Sequence, residues 1–280
     1  MLKILVAIDT LRPSKSAISH ALHLAKNLNA HLVAVYLDDS SNRSYKSYKM
    51  LHDRMAISQQ IYDICNEQDE MLRQESVDYF EAAAKDEKVN YTIHHDTHFS
   101  LNELTEESKY ADLLIIERSE TFSHCAENPP THFIKNLLQD VHCPVLIVPE
   151  LYSHIGKVLF LYDGGYYATD AVKKFNYLFS VLNNEPAEVL TVTPIKQGGS
   201  HLTNNHLMKE YMKTNYPNAV YTVLKGLPEI EIVNQLKSKY ENELIVLGAY
   251  HRGKLSRIIK PSVIEVLMQE LNLPMFINNN

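Results

Sequence analysis

The sequence predicts an α/β protein built from two tandem, doubly wound parallel-sheet domains. Three observations carry this reading. The chain repeats itself: "KILVAID" (Lys3–Asp9) matches "KVLFLYD" (Lys157–Asp163) at an offset of 154. In both copies short apolar runs alternate with stretches of helical apolar spacing. Strands that alternate with helices imply a parallel sheet covered on both faces. The 280 residues suffice for two ordinary domains, and a hydrophobic fraction of 45% supplies their cores.

The elements follow in order. After the first strand comes a helical pattern, "SKSAISHALHLAKNL" in one half and "ATDAVKKFNYLFSVL" in the other. A second strand follows each, "AHLVAVYL" and "AEVLTVTP". Further on the offset becomes 130, with Tyr91-Thr92-Ile93 on Tyr221-Thr222-Val223. The first half therefore carries 24 extra residues (154 − 130) within a charged helical insert at about 40–90. Met50, Met55, Ile61, Ile64, Met71 and Leu72 give that insert its helical spacing. The fourth strand is "LLIIE" (Leu113–Glu117). It falls on "ELIVL" with no slip or on "LIVLG" with a slip of one residue. Each half ends in a short strand after a proline, "CPVLIV" and "LPMFIN". The domains are expected at 1–150 and 155–280, with the linker near Pro149 to His154.

Composition excludes several classes. A net charge of −7 argues against nonspecific binding to nucleic acid or to an anionic membrane. No apolar run approaches the ~20 residues of a membrane span, and the N-terminus reads as a strand rather than a signal peptide. Cys65, Cys125 and Cys143 form no C-x-x-C pair, so neither a disulfide framework nor a zinc knuckle is indicated. The expected compartment is the cytoplasm.

In an open parallel sheet, ligands bind beyond the carboxyl ends of the strands. That geometry selects Asp9 and Asp163, Val35-Tyr36 and Val192-Thr193, His95-Asp96 and Lys225-Gly226, and Arg118 and Gly248. "KILVAIDTLRPSKSAISHALHLA" resembles the opening strand, aspartate and helix of the universal stress protein family. "ELIVLGAYHRGKLSRIIKPSVIEVLMQELNLPMFI" resembles that family's closing segment. The resemblance covers the chain apart from the insert. It implies a Rossmann-like, adenine-nucleotide alpha-hydrolase-like fold in each half, paired as an internal pseudo-dimer through the terminal apolar strands.

Many members of that family bind ATP through a loop of pattern G-x-x-G, nine residues, then G-[ST]. Glycines let the backbone approach phosphate, and helix N-terminal amides face its charge. In the second half Gly248 matches the first glycine and Ser262 the last position. His251 and Pro261 replace the other two glycines, and Gly253 lies two residues late. The resemblance thus implies a nucleotide site at Asp163, Gly164, Val192, Gly248, His251, Gly253 and Ser262, with the aspartate near the nucleoside; in an ATPase Asp163 would hold Mg²⁺. In the first half, at the offset of 130, Arg118 falls on Gly248, Thr121 on His251, Thr131 on Pro261 and His132 on Ser262. No glycine stands there, so phosphate binding is not expected.

Other constellations are weaker. "HHDTHFS" sets His94, Asp96 and His98 at alternate positions, a spacing that suits a metal ion and equally a chance cluster among fourteen histidines. "YDGGYY" (Tyr162–Tyr167) allows a tight turn beside Asp163, and its tyrosines either stack on a base or cover a domain edge. No catalytic set stands out. The expectation is a stress-response binding protein that takes ATP with Mg²⁺ in its second half. Two alternatives stay open: an interaction protein without ligand, alone or as a homodimer or with protein partners, and a weak ATPase.

Overall fold

The computed structural model describes residues 1–38, 59–96, 100–123, 125–152, 154–193, 205–237, 242–248 and 263–278. The chain forms two compact units, Met1–Val141 and His142–Asn280.

The first unit opens with β1 (Lys3–Asp9), α1 (Lys15–Leu28) and β2 (His31–Leu37). Ser14 caps α1 by accepting the Ala17 amide at 3.2 Å. Asn29 ends it in the left-handed region that its short polar side chain tolerates. The insert contributes α2 (Gln59–Asp86), followed by β3 (Tyr91–Asp96), α3 (Ser100–Ser108), β4 (Leu113–Glu117) and α4 (His132–Asp140). The sheet order is β3-β2-β1-β4, all parallel. Residues 4–8, 32–37 and 113–116 are wholly buried, as the uninterrupted apolar runs of a doubly covered sheet require. The order reverses between β1 and β4, so the crevice of this unit lies at the ends of those strands.

The second unit contains β5 (Val145–Val148), β6 (Lys157–Leu161), α5 (Tyr166–Leu178), a short 3₁₀ turn (Ser180–Leu182) and β7 (Ala187–Thr193). Then come α6 (Asn205–Asn215), β8 (Val220–Lys225), α7 (Pro228–Lys237), β9 (Glu243–Gly248), α8 (Val263–Glu270) and β10 (Met275–Asn278). Its sheet runs β5-β10-β9-β6-β7-β8. Every pair is parallel except β5 with β10, where Phe276 faces Leu146 in antiparallel register. The terminal strand of the first sequence repeat thus packs with the second unit. Phe175, Phe179 and Phe276 interlock under α5, with Phe175 and Phe179 stacked at 4.8 Å.

One buried polar knot ties the opposite, amino ends of these strands. Lys157 Nζ lies 2.7 Å from Glu188 Oε2 and 3.0 Å from Glu243 Oε1. Thr222 donates its hydroxyl to the other oxygen of Glu188 at 2.6 Å. One ammonium faces two carboxylates, and burial pushes the Glu243 carboxyl above its ordinary range.

Candidate functional site

Strand pairing fixes which residues of the two halves correspond. Ile4 and Val158 stand at the shared offset of 154, and they pair with Leu113 and Leu244, which are 131 apart. The one-residue slip is therefore the true register. Glu117, not Arg118, corresponds to Gly248. Glu120 corresponds to His251, Pro130 to Pro261, and Thr131 to Ser262. In the first half two acidic residues stand where a phosphate cradle needs glycine.

The crevice of the first unit is occupied by its own side chains. Asp9 Oδ1 accepts the amides of Leu11 at 2.9 Å and Arg12 at 3.0 Å, so the aspartate shapes the turn after β1. Its other oxygen holds the Arg12 guanidinium at 3.0 Å, and the same group donates to the Ser123 carbonyl at 2.6 Å. Glu117 accepts the amide of Ser119 at 3.1 Å and its hydroxyl at 2.5 Å. Glu120 is only 6% exposed, and its carboxyl makes no hydrogen bond among the described residues. Burial, with Asp9 and Glu117 adding repulsion that Arg12 only partly offsets, holds the Glu120 carboxyl well above its ordinary range. Thr131 closes the loop. Its hydroxyl accepts the Ile134 amide as the cap of α4 and donates to the Glu120 carbonyl at 2.6 Å. Asp9, Glu117 and Glu120 gather negative charge in this crevice beside Arg12 and Arg118.

The end of β2 is sealed by the insert. Arg73 of α2 reaches Asp38 at 2.9 Å, and Tyr36 donates its hydroxyl to the Ser76 carbonyl at 3.0 Å. Burial raises the Tyr36 phenol to about 12. His95 stacks on Tyr36 with ring centroids 5.4 Å apart.

His94 has a partner on the neighbouring helix. Its Nδ1 lies 2.5 Å from Glu107 Oε1 on α3, and Lys3 pairs with the other oxygen of Glu107 at 3.3 Å. Asp96 is the last residue of β3. His98 lies outside the described residues. Among the described residues no group of three or more His, Cys, Asp or Glu could hold a metal ion.

The second unit presents a different crevice. Asp163 is exposed, and its Oδ1 accepts the Gly165 amide at 2.7 Å. Its Oδ2 makes no hydrogen bond among the described residues. Gly164 takes φ +82, which permits the tight turn. Val192 is half-buried near the end of β7 and pairs with Leu224. Tyr166 and Tyr167 meet edge to face at 5.5 Å. His251, Gly253 and Ser262 lie outside the described residues.

Gly248 has a packing reason to be glycine. A Cβ there would lie 2.3 Å from the Tyr167 carbonyl oxygen and 2.9 Å from the Ala168 nitrogen. The first helical residue follows the aspartate by three positions in this unit, at Tyr166, and by six in the first, at Lys15. That extra N-terminal turn of α5 comes down onto Gly248. The first unit lacks it, and Glu117 fills the space.

The sequence model described as the universal stress protein family matches residues 1–149. No curated protein matches the chain. A universal stress protein from Archaeoglobus fulgidus DSM 4304 has a similar solved structure, with TM-score 0.65 and 14% identity. The match covers 99% of this chain and 97% of that one. A chain described as a universal stress protein of Pseudomonas aeruginosa UCBPP-PA14 gives TM-score 0.62 at 15% identity, covering 99% and 92%. At such identities the likeness is one of fold.

Proposed function

Because the chain belongs to the universal stress protein family, we propose that it is a tandem member, a stress-response binding and regulatory protein. Its second half, 155–280, takes an adenine nucleotide, and its first half, 1–150, does not. One contrast carries this reading. Asp9 is buried and clamped by Arg12, whereas Asp163 is exposed with one oxygen uncommitted among the described residues. The acidic first crevice repels phosphate. The second sets no carboxylate at the Gly248 position. With a nucleotide bound, Asp163 would hold Mg²⁺ and the base would lie near Val192, beside the Gly164 turn. Mg²⁺ there would neutralise phosphate charge. His251, Gly253 and Ser262 complete the assignment on sequence grounds.

The internal pseudo-dimer is part of the same proposal, and the antiparallel pairing of β5 with β10 supports it. So is a cytoplasmic location, consistent with Cys65, Cys125 and Cys143 all being free thiols. Among the described residues no helix is long and apolar enough to cross a membrane.

Isothermal titration with ATP and Mg²⁺ tests the assignment. The expected result is micromolar affinity that weakens at least about tenfold in Asp163→Ala, the scale of a lost charged contact, with an unchanged melting temperature. No binding by the wild-type protein would overturn it and leave an interaction protein without ligand. Phosphate release in the same samples decides on the ATPase alternative.

A further inference from the structure

The insert helix α2 carries two stripes with different fates. Cys65, Asp69, Ser76, Phe80 and Ala84 recur at helical spacing and are buried. A second stripe, Ile64, Met71, Leu72 and Tyr79, follows the i, i+7, i+8, i+15 pattern of one helix face. It spans ~22 Å at 1.5 Å per residue. These side chains are exposed, Ile64 by 52% and Met71 by 64%. Four large apolar groups in line on one face mark a binding surface more than chance does.

The charge around that stripe selects what can cover it. The helix sequence holds eight carboxylates against Arg73 and Lys85. Glu67 and Asp78 border the stripe, Glu75 lies within it, and all three are exposed. A second copy of this helix would bring the same net −6 against itself. An anionic membrane or a nucleic acid would be repelled in the same way. A cation is already seated at one end, since Lys15 Nζ lies 5.5 Å above the Tyr79 ring.

We propose that the Ile64–Tyr79 stripe of α2 is a docking surface for a cationic amphipathic helix of a partner protein. The partner lays an apolar face on Ile64, Met71 and Leu72 and sets lysine or arginine against Glu67 and Glu75. This is helix-on-helix recognition with apolar anchors two turns apart, and it is independent of nucleotide binding in the second half.

The test uses the full chain and a labelled 22-residue peptide of leucine and lysine in amphipathic helical order, read by fluorescence anisotropy. Saturable binding is expected, weakened at least about tenfold in the double variant Ile64→Glu, Met71→Glu and about threefold in Glu67→Gln, Glu75→Gln. Raising the salt from 50 to 500 mM should weaken it further. A leucine–glutamate peptide of the same order should not bind. Circular dichroism of each variant separates lost docking from lost fold. Equal binding by wild type and the Glu double variant overturns the proposal, as does no binding at all. A wild-type dimer in sedimentation equilibrium that becomes monomeric in Met71→Glu overturns it in favour of a second copy. A photo-crosslink from position 71 to residues 39–58 of the same chain overturns it in favour of an intramolecular occupant.

Discussion

The Tyr167 carbonyl oxygen stands 2.3 Å from where a Cβ of residue 248 would be. The neighbour is backbone inside a helix, so it cannot swing aside as a side chain would. Gly248→Ala must push the first turn of α5 away from β9. The expected cost is about 1–3 kcal/mol, the range for overpacking a close contact, seen as a lower urea midpoint. Any nucleotide affinity that disappears with this substitution therefore reports the fold as well as the cradle, which is why Asp163 is the cleaner probe.

Glu120→Gln should stabilise the protein, and more so as pH rises. The folded-state value of Glu120 is raised above its ordinary 4.5. A raised carboxyl contributes stability that is fully present below the unfolded value and is lost as pH climbs through the folded one. Glutamine has no proton to lose. Melting curves should coincide near pH 4 and separate in favour of the variant toward pH 8, by at most about 1.4 kcal/mol per pH unit. Parallel curves across that range would show that Glu120 has an ordinary titration.

Thr131→Ala removes the cap of α4 and the donor to the Glu120 carbonyl together. The expected loss is about 1–2 kcal/mol, the upper half of the range for such caps. Thr131→Ser should recover most of it, because the hydroxyl does both tasks. Chemical denaturation of the three proteins checks this.

Lys157→Met should be among the most damaging single changes in the second unit. It leaves Glu188 and Glu243 buried side by side without their ammonium, which costs about 3–5 kcal/mol. The double variant Lys157→Met, Glu243→Gln should recover part of this, since one of the two charges is gone. A double variant no more stable than the single one would refute the charge account.

The strands were easy to read because a sheet covered on both faces demands unbroken apolar runs, as in "KILVAID" and "LIVLG". The insert helix was readable from its 3.6-residue spacing, although Ile61, Ile64, Met71 and Leu72, which gave that spacing, lie on its exposed face, and Met50 and Met55 lie outside the described residues. The site was harder. "LLIIE" aligns four apolar residues with "LIVLG" and three with "ELIVL", and the pairings of Ile4 with Leu113 and of Val158 with Leu244 fix the first register. Hydrophobicity favours that slip by only one residue, yet the slip decides whether an arginine or a glutamate stands at the cradle position. Taking the slip would have revealed Glu117 and Glu120 from sequence alone. The Arg12 clamp and the Tyr36–His95 stack had no such signal, because each joins residues from separate strands or loops. The His94–Glu107 pair was equally hidden, because Glu107 lies thirteen residues away on the next helix.

The hydrogen bonding of β5 to β10 means that the chain's covalent halves and its folded units have different borders. A fragment beginning at residue 155 would carry β10 with one side bare, a raw edge that recruits any free strand. A fragment beginning at His142 would bring its own cover. A protease that nicks the Pro149–His154 linker would sever the peptide without freeing the pieces, because β5 would stay laced into the second unit by the tail it left behind.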